Sequence, residues 1–262
     1  MNKDVEILLG EEKHNFDSLV RIMALLRSEN GCPWDREQTH ESIRANMIEE
    51  TSEVIEASDN KDPVLLREEL GDALLQIVFQ SRISEEEGQF CVDDVIHDVC
   101  AKLIHRHPHI FGDVQADTSE TVLNNWEAIK TEEKQRIGLS GTLQSIPPAL
   151  PALMRAQKMV KKSAKAGVQP NIADLLNGTR DDLGCLGDAA HSGNTEQMEK
   201  AMAQALWHLS AIAQIYGMDA EKLLSDRCVD YISQVKNAEE QSADPESISE
   251  TGKKALIDGN FT

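Results

Sequence analysis

Five carboxylates crowd one short stretch, EETSEVIEASDNKDPVLLREELGD at 49–72. Glu49, Glu50 and Glu53 open it, and Glu69 and Asp72 close it. At about 100° per residue on a helical wheel, Glu49, Glu53 and Glu56 form one stripe, with Glu50 within about a third of a turn. Met47, Ile48, Thr51, Val54 and Ile55 occupy the other side, as in an amphipathic helix. On a second helix Glu69 and Asp72 are i,i+3 neighbours, and Leu66, Leu70, Leu74, Ile77 and Val78 mark the face expected to be buried. Pro63 suits the first turn of that helix, where its missing N–H would be unpaired anyway. Packing the two helices antiparallel through their apolar sides would gather four or five carboxylates. Like charges at this spacing repel by roughly a few tenths of a kcal/mol per pair. A hard divalent cation, Mg²⁺ or Mn²⁺, would remove that penalty and suits an all-oxygen site. The bland alternative is a solvated acidic face. The paired ELGD one short turn after EExxE favours the metal.

The elements that must position these groups read as helices throughout. Aromatic residues are scarce at 4%, and Leu, Ala, Glu, Ile and Met recur at helical spacing, which predicts an all-α fold. Residues 1–13 read as a polar leader. Residues 14–29 predict an amphipathic helix with Phe16, Leu19, Val20, Met23 and Leu26 on its apolar stripe, stopped by Asn30 and Gly31. GCPWDREQTH is expected as a loop into the first acidic helix, and the second acidic helix runs to Gly88. A further helix at about 92–106 should turn Val92, Val95, Ile96, Val99 and Leu103 inward before Pro108 ends it. Asp117, Thr118 or Ser119 can cap a helix reaching about 136. The Gly- and Pro-rich stretch GLSGTLQSIPPALP marks a boundary, with 141–150 as linker, 14–140 and 151–236 as the two helical regions, and 237–262 as a polar, disordered tail.

The second region repeats the first. An offset of 132 residues without a gap lays DDLGC (181–185) on EETSE (49–53) and AMAQALWHLSA (201–211) on ELGDALLQIVF (69–79). Met202 falls on Leu70, Leu206 on Leu74, Trp207 on Leu75 and Leu209 on Ile77, a degenerate internal duplication. The acidic set does not survive it. Asp182 replaces Glu50, but Cys185 stands for Glu53, Ala201 for Glu69 and Gln204 for Asp72. One carboxylate of these four positions is too few for Mg²⁺, so the chemistry belongs to the first repeat.

Charge and cysteine usage narrow the classes. A net charge of −20 over 262 residues argues against a nucleic-acid binder, whose footprint is a basic face. It also means that a phosphorylated substrate needs metal and a local cluster of cations. The five cysteines are scattered without a CxxC pair, so reduced thiols are expected. The N-terminus lacks the apolar core of a signal peptide, and no apolar run is long enough for a membrane span. A soluble, cytoplasmic protein is the expectation. No GxxxxGK phosphate loop and no Gly-x-Ser-x-Gly elbow is present.

Lys102 and Arg106, i,i+4 on one helix, could grip phosphates, with Lys130 in reserve; ordinary surface cations are the alternative. Trp34 could stack on a nucleobase or anchor packing, while Trp126, with Val122, Leu123 and Ile129 at helical spacing, reads as core. His105, His107 and His109 lack a cysteine partner and are split by Pro108, which disfavours zinc. His107 and His109 are expected to hold the turn or to line the pocket.

The acidic spacing, E-E-x-x-E then E-x-x-D, resembles the MazG family of nucleoside triphosphate pyrophosphohydrolases. The resemblance extends to NGCPWDREQTH (30–40), KLIHRHPHIFGD (102–113), NWEAIKTEE (125–133) and SIPPALPALMRAQK (145–158). It therefore covers most of 16–165 in order. It implies tandem MazG-like repeats with four-helix-bundle packing completed by a homodimer, and a site formed partly across subunits. A dimer is also reasonable because a two-helix acidic hairpin buries too little alone. The candidate metal ligands are Glu50, Glu53, Glu69 and Asp72, with Glu49 as an extra ligand or water-orienting base. Glu49, Glu50 and Glu53 are the candidate catalytic set, and Trp34, Lys102, Arg106, His107 and Lys130 the candidate substrate contacts. The implied activity is Mg²⁺-dependent hydrolysis of nucleoside triphosphates, ribo or deoxy, at the α-phosphorus, giving monophosphate and pyrophosphate and clearing unwanted nucleotides. The alternatives are a narrower relative, of deoxyuridine triphosphatase or phosphoribosyl-ATP pyrophosphohydrolase type, and a scaffold or sensor that binds nucleotide without turnover. Some family members keep their active site in the second repeat; the loss of ligands at Cys185, Ala201 and Gln204 departs from that.

Overall fold

Short polar side chains and prolines fix where the helices start. Asp62 accepts from the N–H groups of Val64 and Leu65 at 2.9 and 3.1 Å, and Pro63 follows as the first helical residue. Asn15 and Ser18 form a reciprocal capping box, and Asn171 and Asn194 cap two later helices. The structure, a computed structural model, describes residues 3–116, 118–133 and 138–240. Within helices it leaves out the side chains of 3, 4, 124, 127, 128 and 130–133.

The helices in chain order are α1 (Lys3–Gly10), α2 (Phe16–Leu26), α3 (Pro33–Glu37), α4 (Arg44–Asp59), α5 (Pro63–Glu86), α6 (Val92–Arg106), α7 (Pro108–Phe111), α8 (Ser119–Glu133), α9 (Leu139–Gln144), α10 (Ala152–Lys165), α11 (Ile172–Ser192), α12 (Thr195–Ile215) and α13 (Ala220–Glu240). No strand occurs among the described residues, and the fold is all-α. None of the described helices is long and apolar enough to cross a membrane.

The chain forms two compact units, 1–133 and 134–262. In the first, α4 and α5 make a hairpin and α2 packs on α5. Met23, Ile43, Val78, Phe79 and Ile83 form its core, with Phe16, Leu19, Val20 and Leu75 against it. Arg27, at 6% side-chain exposure, bonds Glu86 through Nη2 at 2.8 Å and lies over the Phe79 ring. The expected α2 stripe therefore faces inward. The stretch 30–40, expected as a loop, holds the short helix α3 opened by Pro33. Residues 3–10 of the polar leader are helical, and Leu8 is buried.

In the second unit α11 and α12 form another hairpin, on which α10 packs. Val160, Leu175 and Ala211 are its core. Gln157 clasps the turn before α13, donating to Met218 O at 2.7 Å and accepting from Ala220 N at 3.0 Å. Residues 141–150 belong to this unit: Ile146 is buried, and Lys162 donates to Thr142 O and Ser145 Oγ at 3.2 Å each. The tail expected from 237 begins inside α13, where Ala238 is buried; 241–262 lie outside the described residues.

Two expectations about apolar faces are corrected. In the α4–α5 hairpin Val78 is buried and Leu66 half-buried, but Leu70, Leu74 and Ile77 are exposed, as are Ile48 and Ile55. The helices do not meet through those residues; the seam runs along the stripe that carries Ala57 and several carboxylates. On α6, Val92 is buried, but Ile96, Val99 and Leu103 are exposed. A wheel shows that a helix has an apolar face, not which neighbour within one chain covers it.

Candidate metal centre

The site is built by a tight turn. Lys61 adopts a left-handed conformation (φ 54°) and Asp62 N donates to Ala57 O at 3.0 Å, so the chain reverses within three residues. A non-glycine residue with positive φ is uncommon and marks a turn held by its surroundings. The reversal sets α5 antiparallel to α4 with Glu50 opposite Glu69 and Asp72. One carboxylate oxygen from each of the three lies within 4.8 Å of the others, and all three residues are half-buried. Among the described residues this is the one cluster of His, Cys, Asp and Glu with such geometry.

The electrostatics are those of crowded like charges. Removal from water, followed by the negative charges of Asp72, Glu53, Glu69 and Glu49, pushes the Glu50 carboxyl above its ordinary value. Glu69 is raised by the same loss of water, then by Glu53, Glu68 and Asp72. Glu53 thus weighs most among the charges that act on Glu69. A divalent cation fits these donors: it supplies the missing positive charge, and oxygen is the ligand that Mg²⁺ and Mn²⁺ prefer.

Glu53 is half-buried beside Glu69, and Glu49 is exposed at the edge, acting on Glu50 only through its charge. Lys102 is exposed on α6, one turn before half-buried Arg106, whose guanidinium stacks 5.4 Å from the Trp126 ring centre. His107 bonds Leu103 O through Nδ1 at 2.6 Å at the end of α6 and tilts against His109 at 5.6 Å, so it holds the turn. Trp34 is 59% exposed on α3. The side chain of Lys130 lies outside the described residues. Sequence reasoning missed Gln76. It is 6% exposed, its Oε1 has no hydrogen-bond partner, and it follows Asp72 by one turn on the same stripe. Its signal was a lone amide inside the apolar run ALLQIVF.

The second hairpin answers the same geometry differently. The offset of 132 carries Pro63, first residue of α5, onto Thr195, first residue of α12. It carries Glu50, Asp72 and Gln76 onto Asp182, Gln204 and His208. His208 bonds Asp182 Oδ2 through Nδ1 at 2.8 Å and Gln204 Nε2 through Nε2 at 3.1 Å. An imidazole and an amide satisfy this seam, and one carboxylate remains in it.

Comparison with known proteins places the chain in a family. Residues 38–111, which span α4, α5 and α6, match the model of the MazG nucleotide pyrophosphohydrolase domain. Over 226 residues the chain is 35% identical to the Thermotoga maritima nucleoside triphosphate pyrophosphohydrolase/pyrophosphatase MazG, covering 86% of both proteins. The chain belongs to the MazG family. It is also 47% identical over 155 residues to the Escherichia coli K12 nucleoside triphosphate pyrophosphohydrolase, covering 59% of each. A Bacillus subtilis relative, uncharacterized protein YabN, is 46% identical over 156 residues, 58% of this chain and 32% of that protein. The chain thus spans less than two thirds of the length of these last two relatives.

Proposed function

We propose that this MazG-family chain is a Mg²⁺-dependent nucleoside triphosphate pyrophosphohydrolase. It converts ribo- or deoxynucleoside triphosphates to the monophosphate and pyrophosphate at the α4–α5 hairpin. The observation that carries the reading is the convergence of Glu50, Glu69 and Asp72 within 4.8 Å, in a chain similar to proteins named for that activity.

Glu50, Glu69 and Asp72 would hold the cation, and Glu53 completes the set from beside Glu69. When bound, Mg²⁺ acidifies water and offsets charge building on phosphoryl oxygens. Glu49, exposed at the rim, is placed to orient a water for attack on the α-phosphorus. Arg106, preorganised by its stacking on Trp126, presents the planar fork that suits phosphate oxygens, with Lys102 one turn away and Lys130 on α8 as further cations. Trp34, exposed on α3, offers a flat surface for a base.

A homodimer is part of the proposal. Ile48, Ile55, Leu70 and Ile77 are 40–57% exposed on the outer faces of α4 and α5, and a partner's hairpin laid on those faces would complete a four-helix bundle. Clearing of non-standard nucleotides is the role this activity would serve.

Product analysis tests the reading. Incubating a panel of ribo- and deoxynucleoside triphosphates with Mg²⁺ and following ³¹P NMR should show pyrophosphate and monophosphate appearing together. Diphosphate with inorganic phosphate would place the attack at the γ-phosphorus and refute the assignment.

A further inference from the structure

Gln76 is more than nine-tenths buried, yet its side-chain carbonyl Oε1 meets no donor. Buried acceptors in native proteins nearly always have a partner, so an orphan calls for an explanation. Gln76 stands four residues after Asp72 and seven after Glu69, on the stripe of α5 that faces Glu50. Helical side chains lean toward the N-terminus, which brings the Gln76 amide back toward the turn carrying Asp72. The second hairpin shows that this helix position reaches the seam. There His208, the counterpart of Gln76, touches the counterparts of both Glu50 and Asp72, at 2.8 and 3.1 Å.

We propose that Gln76 is a positioning residue of the metal centre, its carbonyl accepting a hydrogen bond from water that a cation bound by Glu50, Glu69 and Asp72 retains. The inference rests on the proposed metal site. Mg²⁺ and Mn²⁺ keep several waters when held by few carboxylates, and each such water donates protons only. Three carboxylates and one neutral acceptor orient that shell without adding charge to a crowded site. A further carboxylate at 76 would add to the repulsion that already raises Glu50 and Glu69, and a leucine would leave the water undirected.

The test is Mn²⁺ binding to the full chain, by calorimetry and by water-proton relaxation of the bound ion. The wild type is compared with Gln76→Met, Gln76→Glu and Asp72→Asn. Methionine matches glutamine in shape and lacks the acceptor. Since groups outside the direct ligands contribute about 10–100-fold to metal affinity, Gln76→Met should weaken Mn²⁺ about tenfold or more and change the relaxation of the bound ion. Gln76→Glu, which keeps an acceptor oxygen, should bind at least as tightly as the wild type. Asp72→Asn should abolish binding. If Asp72→Asn binds like the wild type, the metal centre itself is refuted. If Asp72→Asn loses the ion while Gln76→Met holds it as tightly as the wild type, the centre stands and the role of Gln76 is overturned. A metal-free Tm that falls in Gln76→Met with Mn²⁺ affinity unchanged would likewise overturn it and assign Gln76 to packing.

Discussion

His208 and Asp182 meet at 2.8 Å across the seam of α11 and α12, at the positions that Gln76 and Glu50 hold in the first hairpin. The pair has a third member, Gly178. A Cβ added there would lie 2.7 Å from His208 Cε1 and 3.1 Å from Nδ1. Where the first hairpin holds a cluster of like charges, the second holds a bonded imidazole, and a helix glycine makes room for it.

Gly178 and His208 should therefore be energetically coupled. Glycine inside a helix costs about 1 kcal/mol relative to alanine, so Gly178→Ala in a His208→Ala background should raise Tm. In the wild type the same change displaces the ring from Asp182 and should lower Tm or leave it unchanged. A double-mutant cycle from thermal melts measures the difference; additive effects would contradict the coupling.

Charge repulsion in the first hairpin predicts an inverse response to metal. Without divalent cation, Glu50→Gln should raise Tm near neutral pH, because it removes a carboxylate that the fold disfavours in its charged form. Added Mg²⁺ or Mn²⁺ should raise the Tm of the wild type by mass action and leave the variant nearly unmoved. Differential scanning fluorimetry with and without chelator reads both.

Glu86 gives the opposite pH behaviour. Burial alone would raise its carboxyl, but hydrogen bonds and charge from Arg27 and Arg82 outweigh burial and hold it below the ordinary carboxylate value. A lowered folded value means that the stabilisation is complete above the unfolded value, about 4.3. It is lost as pH falls through the folded value. Glu86→Gln should lower Tm at pH 7, and the two melting curves should converge below pH about 4. Curves that stay parallel as the pH falls well below that value would contradict the assignment.

The exposed apolar faces of α4 and α5 predict assembly. Leu74→Glu combined with Ile77→Glu should shift the chain from dimer to monomer in light scattering while preserving helical circular dichroism. A wild type that is monomeric at micromolar concentration would remove the homodimer from the account.

Much of this was legible in the sequence, for physical reasons that can be named. Asp62 and Pro63 announce the start of α5 and Pro108 the end of α6, because caps and prolines act locally. The i,i+3 spacing of Glu69 and Asp72 survives into the structure, because it too is local. What depends on a distant partner was not legible. The wheel gave α4 and α5 apolar faces but placed them in the seam, whereas the seam holds the carboxylates. Arg27 and Glu86 are 59 residues apart, and nothing in either neighbourhood points to the other. Gln76 is one polar residue in an apolar run, and only its burial without a partner sets it apart.

The central claim is that Glu50, Glu69 and Asp72 form the metal centre of a pyrophosphohydrolase. Pyrophosphate release from a nucleoside triphosphate, measured for the wild type and Asp72→Asn with Mg²⁺ and with chelator, tests it most directly. The account predicts release by the wild type only when Mg²⁺ is present, and loss of about a hundredfold or more in Asp72→Asn. Release by Asp72→Asn at the wild-type rate, or by the wild type in chelator, would contradict it.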